Sequence, residues 1–155
     1  MYMTTVNAYL TFNGNCEEAF EFYRSVFGGE FPYVGRYGDM PILEGQPPLP
    51  EHLKNKIMHI SLPISAETSI MGSDAGGAWA EKATIGDNIT LSINTKDPDE
   101  AKRYFDQLSA GGKVKMPFEL TFWHAYYGLF TDKFGINWMV NCETSDHEAY
   151  EKGQK

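Results

Sequence analysis

Glu18–Phe31 reads EAFEFYRSVFGGEF, and Glu100–Val114 reads EAKRYFDQLSAGGKV. Glu-Ala opens both. Phe22-Tyr23 falls on Tyr104-Phe105, Val26 falls on Leu108, and the Gly-Gly pairs differ by one inserted residue. Each stretch is an amphipathic helix. In the first, Ala19, Phe20, Phe22, Tyr23, Val26 and Phe27 share one arc, and Glu17, Glu18, Glu21 and Arg24 lie largely outside it. In the second, Ala101, Tyr104, Phe105 and Leu108 form the apolar stripe. Asp97-Pro98 opens that second helix as N-cap and first-turn proline. Gly28-Gly29 ends the first helix, as a left-handed C-terminal cap does, and Gly111-Gly112 closes the second.

The order of elements repeats as well. Before the first helix, Val6–Phe12 alternates Asn7, Tyr9 and Thr11 against Ala8, Leu10 and Phe12. Before the second, Asn88, Thr90, Ser92 and Asn94 alternate with Ile89, Leu91 and Ile93. The offsets are 100 − 18 = 82 for the helices and 88 − 7 = 81 for these strands. A half of this kind covers its own sheet poorly, so two copies are expected to pack together. Later strands are expected at Glu30–Tyr37, weakened by Pro32, at Lys56–Ile64, and at Thr68–Gly72. In the second copy they fall at 112–116, Tyr127–Thr131 and Ile136–Cys142. The expected organisation is a first module at 1–87, a second at 88–144, and a frayed polar tail at 145–155. Residues 38–51 carry Pro41, Pro47, Pro48 and Pro50 and read as a loop. Its Met40, Ile42 and Leu43 suit a lid.

Composition narrows the function. The chain has 155 residues, 42% of them hydrophobic and 14% aromatic, which suits one domain made of two small halves. Lys plus Arg is 13 and Asp plus Glu is 21, a net charge of −8. Nucleic-acid binders need a basic footprint, and anionic membranes attract one, so neither partner is expected. No apolar run reaches the roughly 18 residues of a membrane span. The start, MYMTTVNAYLTF, lacks a basic leader region, and Cys16 and Cys142 form no CxxC pair. A cytoplasmic setting with reduced thiols is the expectation.

Four segments carry a family resemblance: NAYLTFNGNCEEAFEFYRSVFGGE from Asn7, IMHISLPI from Ile57, SIMGSD from Ser69, and TFWHAYYGLFTDKFGINWMVN from Thr121. With them the chain resembles the PhnB-like branch of the vicinal-oxygen-chelate superfamily, which includes glyoxalases, bleomycin-resistance proteins and extradiol dioxygenases. The resemblance runs from about Val6 to Glu143. It implies an α+β fold of two βαβββ modules, with cupped half-barrel sheets around a central cavity, helices outside, and commonly a homodimer. On such a sheet the polar strand faces would line a pocket instead of meeting solvent.

The superfamily places His or Glu metal ligands on the first and last strands of each half. Those positions fall here on Asn7, Met71, Asn88 and Met139. Amide oxygens hold hard cations weakly and thioethers suit soft Cu(I), so no metal and no cofactor are expected. Among the histidines, His52 and His147 read as solvated. His59 lies opposite the helix-covering face, either in a pocket or as a hydrogen-bonded structural residue. His124 sits in Phe122-Trp123-His124-Ala125-Tyr126-Tyr127, either a ligand wall or packing of a loop or dimer contact. Asp74 either orients a ligand or caps loop backbone. The expected ligand-binding set is Tyr9, His59, Trp123, His124 and Tyr127.

Three functions compete on this reading: binding of a small aromatic or apolar molecule, divalent-metal lyase, isomerase or dioxygenase chemistry, and sequestration of an aromatic or cationic compound. Some PhnB-like relatives carry a ubiquinone-methyltransferase label. The sequence shows neither a doubly wound nucleotide fold nor a Gly-rich adenosyl-methionine loop.

Overall fold

The computed structural model describes residues 4–41, 44–76 and 82–153. Ile42 and Leu43 of the expected lid, and Trp79, lie outside the described residues. The chain divides into two compact units, Met1–Thr84 and Ile85–Lys155. In the first, β1 (Ala8–Phe12), α1 (Cys16–Phe27), β2 (Tyr33–Arg36), β3 (Ile57–Pro63) and β4 (Ser69–Asp74) follow in order. In the second come β5 (Leu91–Thr95), α2 (Pro98–Ser109), β6 (Lys113–Leu120), β7 (Ala125–Thr131), β8 (Asn137–Glu143) and α3 (Ser145–Gly153). Both are βαβββ modules, each built on one four-stranded sheet. The sheet orders are β1-β4-β3-β2 and β5-β8-β7-β6. In each sheet the first strand pairs parallel with the last, and the remaining pairs are antiparallel.

The helices form where the periodicity places them. Cys16, Ala19, Phe20, Tyr23 and Val26 are the buried face of α1, and Ala101, Phe105 and Leu108 that of α2. Asp97 caps α2 by accepting from the Asp99 and Glu100 amides at 3.0 and 3.3 Å. Asn15 makes no such side-chain bond at the start of α1. Gly28 and Gly29 take φ of +80° and +83° past its end, where a side chain would be strained.

Each helix covers one sheet face. Against α1 lie Leu10, Phe12, Ile60, Leu62 and Ile70, all buried. Gly72 sits among them because a methyl there would come within 2.7 Å of the Phe20 ring and 2.6 Å of the Leu10 carbonyl. In the second module Phe130, Trp138, Val140 and Cys142 are buried. Phe105 stacks on Phe118 at 5.6 Å and meets Phe130 edge-on at 5.2 Å. A methyl on Gly128 would lie 2.5 Å from the Phe105 ring, so the bare backbone is a packing requirement.

Three expectations are corrected. The first strands begin 91 − 8 = 83 residues apart and the helices 98 − 16 = 82. Tyr9 therefore corresponds to Ser92, and Asn7 to Thr90 rather than to Asn88, which precedes β5. Residues 145–153 form α3 where a frayed tail is expected. His147 is buried at 8% exposure, not solvated.

Candidate functional site

The strand register shows which side chains share the faces that the helices leave open. In the first sheet Tyr9, Met71, Ser61 and Tyr33 form one cross-strand row. His59 lies two residues from Ser61 on the same face of β3, because side chains alternate along a strand. The Tyr9 hydroxyl is 3.3 Å from His59 Nδ1, and the two rings are 5.6 Å apart. Tyr33 stands 5.8 Å from His59 on the other side. Its ring folds over Gly35, where an added methyl would come within 2.6 Å of the phenol oxygen. Tyr9 and Tyr33 remain half exposed. The structure thus joins two expected residues, Tyr9 and His59, and adds Tyr33, which the sequence reading does not select.

In the second sheet Ser92, Met139, Leu129 and Met116 form the corresponding row. Tyr127 shares this open face, opposite Glu119 on β6 and Asn141 on β8. Trp123 and His124 lie in the turn that joins β6 to β7. The Trp123 ring meets Tyr127 at 6.1 Å and Phe122 at 4.8 Å, both edge-on. His124 is exposed and takes φ +62°, with its amide bonded to the Thr121 carbonyl at 3.1 Å. Histidine tolerates this left-handed conformation better than most side chains. Trp123 and Tyr127 therefore form one aromatic cluster of the second module, and Tyr9, His59 and Tyr33 one of the first.

The superfamily metal positions do not fit a metal. The Asn7 amide is already bonded: its oxygen accepts from the Ser69 amide at 3.1 Å and its nitrogen donates to Thr5. Met71 stands across from Tyr9, and Met139 across from Ser92. Those partners offer a phenol, a hydroxyl and thioethers, a poor set for hard or borderline cations. Among the described residues, no three His, Cys, Asp or Glu side chains gather as a metal would need.

Asp74 resolves in favour of backbone capping. It is buried at 2% exposure. One carboxylate oxygen accepts from the Gly14 and Cys16 amides at 3.0 and 2.9 Å, and the other from the Ile57 amide at 2.9 Å. It supplies the cap that Asn15 does not. Tyr37 donates to the Asp74 carbonyl at 2.7 Å, and burial pushes its phenol pKa up. Burial, followed by the Asp74 charge, drives the Cys16 thiol pKa far up, so Cys16 is an inert core thiol. Burial likewise raises the thiol of Cys142.

A concavity of about 460 Å³ lies elsewhere in the first module, lined by Gly14, Asn15, Glu17, Glu18, Arg36, Asn55, Lys56 and Asp74. Its polar groups hold the fold together. Arg36 pairs with Glu17 and donates to the Asn55 carbonyl at 2.7 Å, and the hydrogen bond from Arg36 lowers the Glu17 carboxyl pKa. Lys56 donates to the Gly14 carbonyl at 2.7 Å. These bonds commit the cationic groups, so the open sheet faces remain the better candidate surface.

Comparison with known proteins agrees with this architecture. A family model described as 3-demethylubiquinone-9 3-methyltransferase matches residues 4–141. The Escherichia coli K12 protein YjdN is 36% identical over 141 residues, 88% of this chain and 93% of that protein. The crystal structure of protein PA1353 from Pseudomonas aeruginosa is 40% identical with a TM-score of 0.75, covering 90% of this chain and 98% of that one. A PhnB protein from Bacillus cereus shares the fold at TM-score 0.68 and 23% identity, covering 90% and 99% of the two chains. The fosfomycin resistance protein FosX of Mesorhizobium loti shares it at TM-score 0.58 and 9% identity, covering 96% and 99%. The chain belongs to the family of this model, the PhnB-like family, and shares its fold with the fosfomycin resistance protein.

Proposed function

We propose that this protein binds a small, planar or apolar molecule against the open faces of its sheets, without a resident divalent metal. The observation that carries this reading is the Tyr9–His59–Tyr33 cluster. Three rings crowd a face that no helix covers, yet Tyr9 and Tyr33 stay half exposed. Aromatic faces next to a few polar groups suit a planar ligand, which gains from stacking and takes direction from a hydroxyl or imidazole. Trp123, His124 and Tyr127 supply the same chemistry from the second module, and the net charge of −8 favours cationic members of the ligand class. The methyltransferase description of the family model gains no support from the topology. Each sheet contains one parallel pair, and a doubly wound nucleotide fold is mostly parallel.

A thermal-shift screen of small aromatic and cationic aromatic compounds tests the reading. A compound held by the first module should lose about tenfold in affinity with Tyr9→Ala, and one held by the second should lose as much with Trp123→Ala, the loss of one good aromatic contact. Chelators should leave binding unchanged. One tightly held Zn, Ni, Mn or Fe per chain, lost together with binding on chelation, would instead establish a metalloprotein. A homodimer is part of the proposal, and light scattering should give twice the mass of the chain.

A further inference from the structure

His147 meets the Trp123–His124 turn from α3, 24 residues further along the chain. Its Nδ1 lies 2.6 Å from the Trp123 carbonyl. A carbonyl only accepts, so Nδ1 must carry a hydrogen. That leaves Nε2 to face two carboxylates, Glu151 at 3.4 Å and Glu143 at 3.9 Å. In the neutral ring Nε2 presents a lone pair to these acceptors. In the protonated ring it presents a second N–H to them. The same junction is tied by Thr144, whose hydroxyl donates to the His124 carbonyl and accepts from the His147 amide at 3.1 Å. Two adjacent carbonyls of the turn, from Trp123 and His124, are thus held from the start of α3.

We propose that His147 is a pH-dependent clasp that fixes α3 onto the Trp123–His124 turn, tightest when its imidazole is protonated. The groups that face it are Glu143 at the end of β8, Glu151 on α3, and the turn, which contributes the Trp123 carbonyl with His124 beside it. The sign follows from the partners. The Trp123 carbonyl first, and then Glu151 and Glu143, raise the His147 pKa above the ordinary value of 6.5 against the opposing effect of burial. A group whose folded pKa is raised contributes its full stabilisation below the unfolded value, and loses it as pH rises through the folded one. The clasp is therefore closed below the ordinary imidazole value and loosens as pH rises through the raised one. The turn it holds bears Trp123 and His124, but the proposal does not depend on any ligand.

Imidazole NMR titration of the full chain tests this directly, with the His147 signal assigned by its disappearance in His147→Gln. His147 should titrate above 6.5, and amide protection factors along α3 should fall by about threefold or more between about pH 6 and pH 8, within the tenfold per pH unit that one linked proton allows. Gln takes up no proton, so His147→Gln should show α3 protection independent of pH over the same range. A His147 midpoint at or below the ordinary value overturns the proposal. So does α3 protection in the native chain that does not change with pH, or pH dependence that survives in His147→Gln.

Discussion

Asp74→Ala should lower the stability of this protein by about 3–5 kcal/mol, among the largest effects a single residue gives here. Three backbone amides, from Gly14, Cys16 and Ile57, share its two carboxylate oxygens. Each bond is charge-assisted, and each donor left unpaired in the buried site keeps its full desolvation cost. The amides belong to different parts of the module: the turn after β1, the first turn of α1, and the start of β3. Removing the carboxylate thus loosens the helix, its entry turn and the sheet together. Thermal unfolding followed by circular dichroism should show the midpoint lowered by about 10 °C, given the roughly 2–4 °C per kcal/mol of a chain this size. Asp74→Asn should fall between the native chain and Asp74→Ala, because it keeps one acceptor oxygen and aims an amide at the remaining donor. An Asp74→Ala chain melting within about 2 °C of the native one would show that the three amides find other partners.

The helices of this fold were legible in the sequence because their information is local. The apolar arcs and Asp97 at the N-cap each lie within one short window, and the structure bears them out, whereas the glycine cap holds only for α1: Gly28 follows it at φ +80°, but α2 passes through extended Ala110 before Gly111. The strand repeat was legible in kind but not in register. One residue fewer separates β5 from α2 than β1 from α1, and this moves the counterpart of Asn7 from Asn88 to Thr90. Alternation identifies a strand without fixing its bounds, since Asn88 and Ile89 continue the pattern before β5 begins. Long-range contacts decide the remaining cases. Asp74 meets the Cys16 amide across 58 residues, and His147 meets the Trp123 carbonyl across 24. Neither pairing leaves a periodic trace. Tyr33 escapes notice because its neighbour His59 is set by the β2–β3 register, which a single strand does not encode. Tyr9 near His59 follows from strand alternation, and Trp123 near Tyr127 follows from one short aromatic run that spans the β6–β7 turn and the start of β7.

Asp132→Ala should cost the second module about 2–4 kcal/mol by the same physics, with a different signature. Asp132 is buried at 3% exposure in the turn from β7 to β8. One oxygen accepts from the Phe134 and Ile136 amides at 2.8 and 3.0 Å, which closes the Asp132-Lys133-Phe134-Gly135 turn. The other accepts from the Trp138 indole at 2.9 Å, inside the core of β8. Two of the three donors belong to a local turn that water reaches more easily than the site of Asp74, so the expected loss is somewhat smaller. The indole is the exception, since Trp138 is 3% exposed and its N–H would have no carboxylate to meet. The Trp138 indole proton should therefore shift upfield in the NMR spectrum of Asp132→Ala as its hydrogen bond is lost, and the denaturation midpoint should fall. Asp132→Asn, turned so that its oxygen faces the two amides, should keep the turn and place an NH2 against the indole N–H. It should then disturb the Trp138 signal with a smaller loss of stability. An Asp132→Ala chain with an unmoved indole resonance and a native midpoint would show that the buried carboxylate is not what joins this turn to the core.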